Sequence, residues 1–138
     1  MEINPLGLIS AAIAFLSIWI GHVSVRKIEA ITVALWKPMT ILITFGLALE
    51  YAALSVSNQS LAAVFGILGV TLLWDAFEIK RQAHRVRKGH APANPNNTRH
   101  AAMLAEPNSR ATTLNILNRY PIGRAVDPEE AVRLITSH

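Results

Sequence analysis

Glu50 is an acidic side chain set well inside a long apolar stretch. An ionisable group in such a place is costly, so a proton relay, an ion ligand or a hydrogen bond to another helix should account for it. It lies eight residues from Asn58, beside Tyr51. A contact with another helix or subunit is the expected role, with transport as the alternative. His22 and His84 fall near the ends of two other apolar stretches. Two histidines at similar depth could ligate a haem iron; imidazoles bonded to headgroups or backbone are the simpler expectation, and no cofactor is expected. Asp75 and Glu78 precede Lys80 and Arg81 and are expected to pair with Arg26 or Lys27 rather than to bind a metal. The chain has no cysteine, so disulfides, thiolate metal sites and iron–sulfur ligation are ruled out. It also lacks a phosphate loop, an HExxH pair and a glycine-rich nucleotide fingerprint. Catalysis by this chain alone is therefore not expected.

The elements that must carry these residues are helices. Leu6 to Val25 is twenty residues without a formal charge, about 30 Å of helix and enough to cross a bilayer core. It has Glu2 where a secretory signal would carry basic residues, so a membrane helix is the better reading. Further spans run from Pro38 to Val56 and from Leu61 to Phe77, joined by the short polar turn Ser57-Asn58-Gln59-Ser60 that dictates an antiparallel hairpin. Pro38 suits a first helical turn. Ala62, Gly66 and Gly69 place small side chains on one side of the third span and allow close helix approach. The link from Arg26 to Trp36 has Ile28, Ile31 and Leu35 at helical spacing. It reads as a short helix lying in the membrane interface, or else as an extension of a span.

Charge is divided unevenly. Residues 1–79 hold three basic and five acidic side chains, whereas residues 80–138 hold ten and four. The mean hydropathy of +0.32 and the pI near 10.0 therefore belong to different parts of the chain. Basic residues are retained in cytoplasmic loops. Arg26, Lys27 and Lys37 occupy the first link, and Lys80, Arg81, Arg85, Arg87 and Lys88 follow the third span. An all-α membrane protein of three spans, N-terminus outside and C-terminus inside, puts both groups on the cytoplasmic side. Anionic phospholipid is the expected partner of these residues, and nucleic acid is not, since no aromatic residues are interleaved for base stacking.

The third helix should continue past the membrane and stop at Gly89. The chain then divides into a transmembrane portion over 1–89 and a tail over 90–138. Residues 90–108 read as an extended Pro/Asn/Ala linker. Asp127-Pro128-Glu129-Glu130 starts a short helix over about 128–136. Leu114, Leu117, Tyr120, Val132 and Ile135 are the tail's candidate partner contacts.

Taken in order, the segments PLGLISAAIAFLSIWIGHVSVRKIEA, LWKP and GILGVTLLWDAFEIKRQAHRVRKGHAPANP resemble a small bacterial family known as domain of unknown function 4491. The matching positions are Gly7, His22, Lys27, Glu29, Trp36, Trp74, Glu78, Arg85, Arg87, Lys88, Gly89, Pro92, Asn94 and Pro95, over residues 5 to about 97. The chain departs from the pattern at Val23, where members tend to have proline, and residues 98–138 run beyond the family's usual end. The resemblance implies a three-span protein of the bacterial cytoplasmic membrane and carries no activity. The expected function is that of a non-catalytic accessory subunit of a larger membrane complex, of respiratory or photosynthetic type, with the tail clamping a partner. The alternatives are an oligomeric transporter or channel component using Glu50, and a haem- or quinone-binding electron-transfer subunit using His22 and His84.

Overall fold

The computed structural model describes residues 4–115 together with Glu129, and within them the chain is helical. Helix α1 (Pro5–Ile31) begins where Asn4 Oδ1 accepts the backbone N–H groups of Leu6 and Gly7 at 3.0 and 3.3 Å, with proline in the first turn. Helix α2 (Trp36–Ser55) follows after four residues. Helix α3 (Gln59–Arg87) starts where Asn58 Oδ1 accepts from Leu61 N at 3.0 Å. Gly89 ends it, as expected, by taking φ +73°. Its N–H bonds Val86 O and the N–H of His90 reaches back to Arg85 O, so two of the last-turn carbonyls are satisfied. A Cβ at Gly89 would collide with the carbonyl oxygen of Arg110. A fourth, short helix, α4 (Thr98–Ala105), lies in the tail. The three long helices are each apolar and long enough to cross a membrane, and the protein is a multi-pass membrane protein.

Helix α3 stands between the other two and takes the packing of both. With α2 it is antiparallel: Gly46 faces Gly69 and Leu73, while Gly66 faces Ala53. A Cβ built on either Gly46 or Gly69 would lie 3.0 Å from the other's carbonyl oxygen, so the two backbones touch. Association inside lipid depends on such close approach, because lipid tails are as apolar as leucine. With α1 it is parallel: Ser17 Oγ lies 3.3 Å from Thr71 Oγ1, and Gly21 packs on the Asp75 carboxylate. Both pairs are offset by the same number of residues. The buried positions of α1 are Ser17, Gly21, Val25 and Glu29, a stripe repeating every fourth residue.

Two expectations need correction here. The Arg26–Trp36 link is not a separate interfacial helix. Its first part completes α1, which reaches Ile31 before a break at Thr32–Leu35. The stripe explains the outcome, because Val25 and Glu29 stay in register with α3 only if the helix is unbroken. At 27 and 29 residues, α1 and α3 run to about 40 Å each, some 10 Å more than a hydrocarbon core. Nor is 90–108 an extended linker. Ala91 and Ala93 are buried with Val86, Met103 and Leu104 pack against them, and α4 folds within the segment. The short helix expected over about 128–136 lies outside the described residues apart from Glu129.

Candidate functional site

The last carbonyls of a helix have no intrahelical partner, and at the end of α1 the tail supplies the missing donors. Asn94 Nδ2 and Asn97 Nδ2 each donate to Ala30 O at 3.0 Å. Asn97 Nδ2 also donates to Thr32 O at 3.2 Å, and Arg99 Nη2 donates to Glu29 O at 2.8 Å. Asn97 uses the other end of its amide to start α4, with Oδ1 accepting from Arg99 N at 2.9 Å. One buried asparagine therefore ends α1 and begins α4. Arg99 adds a cation where the helix dipole is negative.

At the centre of this junction is Glu29, a carboxylate with 1% of its surface exposed, beside His100, which has none. Glu29 Oε1 lies 2.7 Å from Arg99 Nη2 and 2.9 Å from His100 Nε2. The backbone N–H of Asn94 donates to His100 Nδ1 at 2.9 Å. A nitrogen that accepts carries no proton, so the ring proton is on Nε2 and is donated to Glu29. Arg99 Nη2 is also 2.9 Å from His100 Nε2, but both nitrogens are donors, and the short separation results from their convergence on one oxygen. A buried carboxylate is tolerable only when paired and hydrogen-bonded in this way. The cluster holds the tail against α1 and leaves the Glu29 carboxylate occupied.

A family model described as Domain of unknown function (DUF4491) matches residues 4–97. The chain belongs to this family. No curated protein and no solved structure matches it. The DUF4491 region thus contains all three membrane helices, Glu29, and both asparagines that cap α1, while Arg99 and His100 lie just beyond its end.

The structure separates several residues that the sequence grouped together. His22 lines a cavity of about 320 Å³ with Trp74 and Asp75, whereas His84 lines a different one with Arg87, Lys88 and His90. Asp75 is level with Gly21, and His84 is nine residues further along α3, about 13 Å at helical rise. The two histidines are not at similar depth and line separate cavities. The expected pairing of Asp75 and Glu78 with Arg26 or Lys27 is also overturned. Glu78 is held by its own helix, with Arg85 Nη1 at 2.7 Å and Arg81 Nε at 3.6 Å. Asp75 packs on Gly21 between two intramembrane cavities. Among the described residues, no group of three or more His, Asp or Glu side chains is arranged to hold a metal.

Glu50 Oε1 is covered by Gly69 and has no hydrogen-bond partner among the described residues. Gly66 and Gly69 face α2, and Ala62 lies half-buried on the same helix. Arg87 pairs with Glu106 at 2.7 Å, Lys37 lies over the Trp36 ring, and Lys80 is exposed. Leu114 is exposed, and Leu117, Tyr120, Val132 and Ile135 lie outside the described residues.

Arg26 and Lys27 line a crevice of about 330 Å³ with Gln82 and Pro92. A second crevice of about 260 Å³ adjoins it through Arg26, Gln82 and Pro92 and adds Arg85 and His90. Sequence reasoning missed both the junction and these crevices. The available signal was Asn97 followed by Thr98-Arg-His-Ala-Ala-Met-Leu and Pro107, a capped helix with a stop.

Proposed function

We propose that this DUF4491 protein is a non-catalytic accessory subunit of a larger complex in the bacterial cytoplasmic membrane. The single observation that carries this reading is the arrangement of the spans about α3. In their most apolar stretches only 11% of α1, 6% of α2 and 17% of α3 is buried within the chain. Phe15, Trp19, Phe45, Tyr51 and Leu54 point outward, an apolar surface that suits contact with lipid or with a larger subunit. The retention of basic residues on the cytoplasmic side favours an N-terminus outside and the junction inside. The tail, tied to α1 at Glu29, then holds a partner there through residues beyond the junction. Extraction of a tagged chain in mild detergent followed by a native gel tests this. The expected result is migration with other polypeptides far above 15.1 kDa, and a lone or purely homo-oligomeric species overturns it.

Glu50 favours a second reading, an oligomeric transporter or channel component. Its carboxyl oxygen packs against a neighbouring helix within the membrane without a hydrogen bond among the described residues, the kind of site that ion pathways use. Flux into liposomes that the protein raises and Glu50→Gln abolishes supports it, and flux unchanged by either sinks it.

A further inference from the structure

We propose that the crevice between α1, α3 and the start of the tail is a seat for the phosphate group of an anionic membrane lipid. Three donor groups converge on it. Arg26 and Lys27 line it and make no ion pair among the described residues. Gln82 lines both adjoining crevices with only 6% of its surface exposed. Its Oε1 is taken by Arg85 Nη1 at 3.2 Å, so the donor end of a nearly buried amide, Nε2, is left without a bond among the described residues. Glu29 also borders the crevice, but its charge is engaged by Arg99 and His100. Two cations and a buried N–H donor without a competing free carboxylate are complementary to a phosphodiester, whose oxygens only accept.

Depth identifies the source of that phosphate. Arg26 directly follows the charge-free run that ends at Val25, and Val23 forms part of the wall. A run of twenty residues spans about 30 Å, so the crevice opens at headgroup level, with apolar helix surface above it for an acyl chain. Pro92 of the tail also lines it, so the seat is complete only when the tail is docked on α1. This goes beyond the general attraction of a basic segment for anionic lipid, because it assigns one place and three side chains to one headgroup.

Native mass spectrometry of the full chain in detergent, titrated separately with phosphatidylglycerol, phosphatidylcholine and inorganic phosphate, tests the assignment. A retained phosphatidylglycerol adduct is expected, with weaker retention of phosphatidylcholine and no competition from inorganic phosphate at equal concentration. The double variant Arg26→Gln/Lys27→Gln should weaken phosphatidylglycerol binding by about 30-fold. Lys37→Gln/Lys80→Gln removes the same charge outside the crevice and should stay near the parent value. Equal losses in the two doubles, or none in the first, overturn the seat in favour of diffuse surface charge. Full competition by inorganic phosphate overturns the lipid as its source. Gln82→Leu keeps every charge and should still weaken binding severalfold. Should the first double fail to fold, unchanged binding in Gln82→Leu overturns the proposal.

Discussion

The membrane-embedded part of this protein and the junction at the end of α1 are held together in opposite ways. Between the spans, contact depends on missing side chains: Gly46 on Gly69, Gly66 beside Ala53, Gly21 beneath Asp75. Polar groups there are few, such as the Ser17–Thr71 hydroxyl pair. At the junction, contact depends on added polar atoms: Glu29, Arg99, His100, Asn94 and Asn97 bond one another and the orphaned carbonyls of α1, with Arg99 Nη1 the one buried atom of the cluster left without a partner among the described residues. The difference follows from the solvent. In lipid, apolar burial provides no drive between helices, so close backbone approach must supply the attraction. At the junction, a carbonyl or carboxylate buried without a partner is costly, so bonded polar groups supply the attraction. The membrane part should therefore respond to added volume, and the junction to lost partners.

The largest break is expected at Glu29. Glu29→Ala leaves Arg99 without its carboxylate in a largely buried site, at a cost of about 3–5 kcal/mol. Hydrogen exchange should rise sharply at Asn94 and across α4 while the α2–α3 contact keeps its protection; equal loosening of both regions would deny the contrast. Adding volume tests the other side. Gly69→Val places a Cβ 2.6 Å from Glu50 Oε1 and 3.0 Å from Gly46 O, and overpacking of this kind costs about 1–3 kcal/mol. The expected readout is a lower thermal midpoint with unchanged protection at the junction, and a neutral result would show that α2 and α3 can separate freely.

Asn97→Ala removes a donor to two carbonyls and the cap of α4 together, for about 1–2 kcal/mol. Limited proteolysis between α3 and α4 should accelerate, and an unchanged cutting rate would mean that Glu29 holds the tail alone. The smallest effect is expected at the exposed Arg87–Glu106 pair, whose side chains are 56% and 42% exposed. Glu106→Gln should cost about 0–1 kcal/mol and lose even that at high salt. A larger, salt-insensitive loss in the unfolding midpoint would make this pair part of the junction.

Much of this contrast was readable only on one side. Charge-free runs, a four-residue polar turn and Gly66 with Gly69 foreshadowed the spans and the hairpin, because each signal is local. Glu50 stood out as an intramembrane charge for the same reason. The extent of α1 was not legible, since Ile28, Ile31 and Leu35 fit either an interfacial helix or a continuation. The junction was the larger miss. Glu29 and His100 are 71 residues apart, and Pro, Asn and Ala around positions 90–97 look the same in a loose linker and in a docked one. Asp75 and Glu78 were assigned partners across helices. Their actual surroundings depend on which side chains α3 turns toward itself and toward α1, and residue order does not specify that.

The number of spans and the division of charge between the two ends were determined by the chain alone, because a twenty-residue apolar run in lipid has to satisfy its backbone within itself. The constant register between α1 and α3, the burial of Glu29 and the docking of the tail were decided only in three dimensions. Each is a choice among geometrically possible contacts between distant segments. At the junction that choice follows from the cost of leaving buried carbonyls and a buried carboxylate without partners.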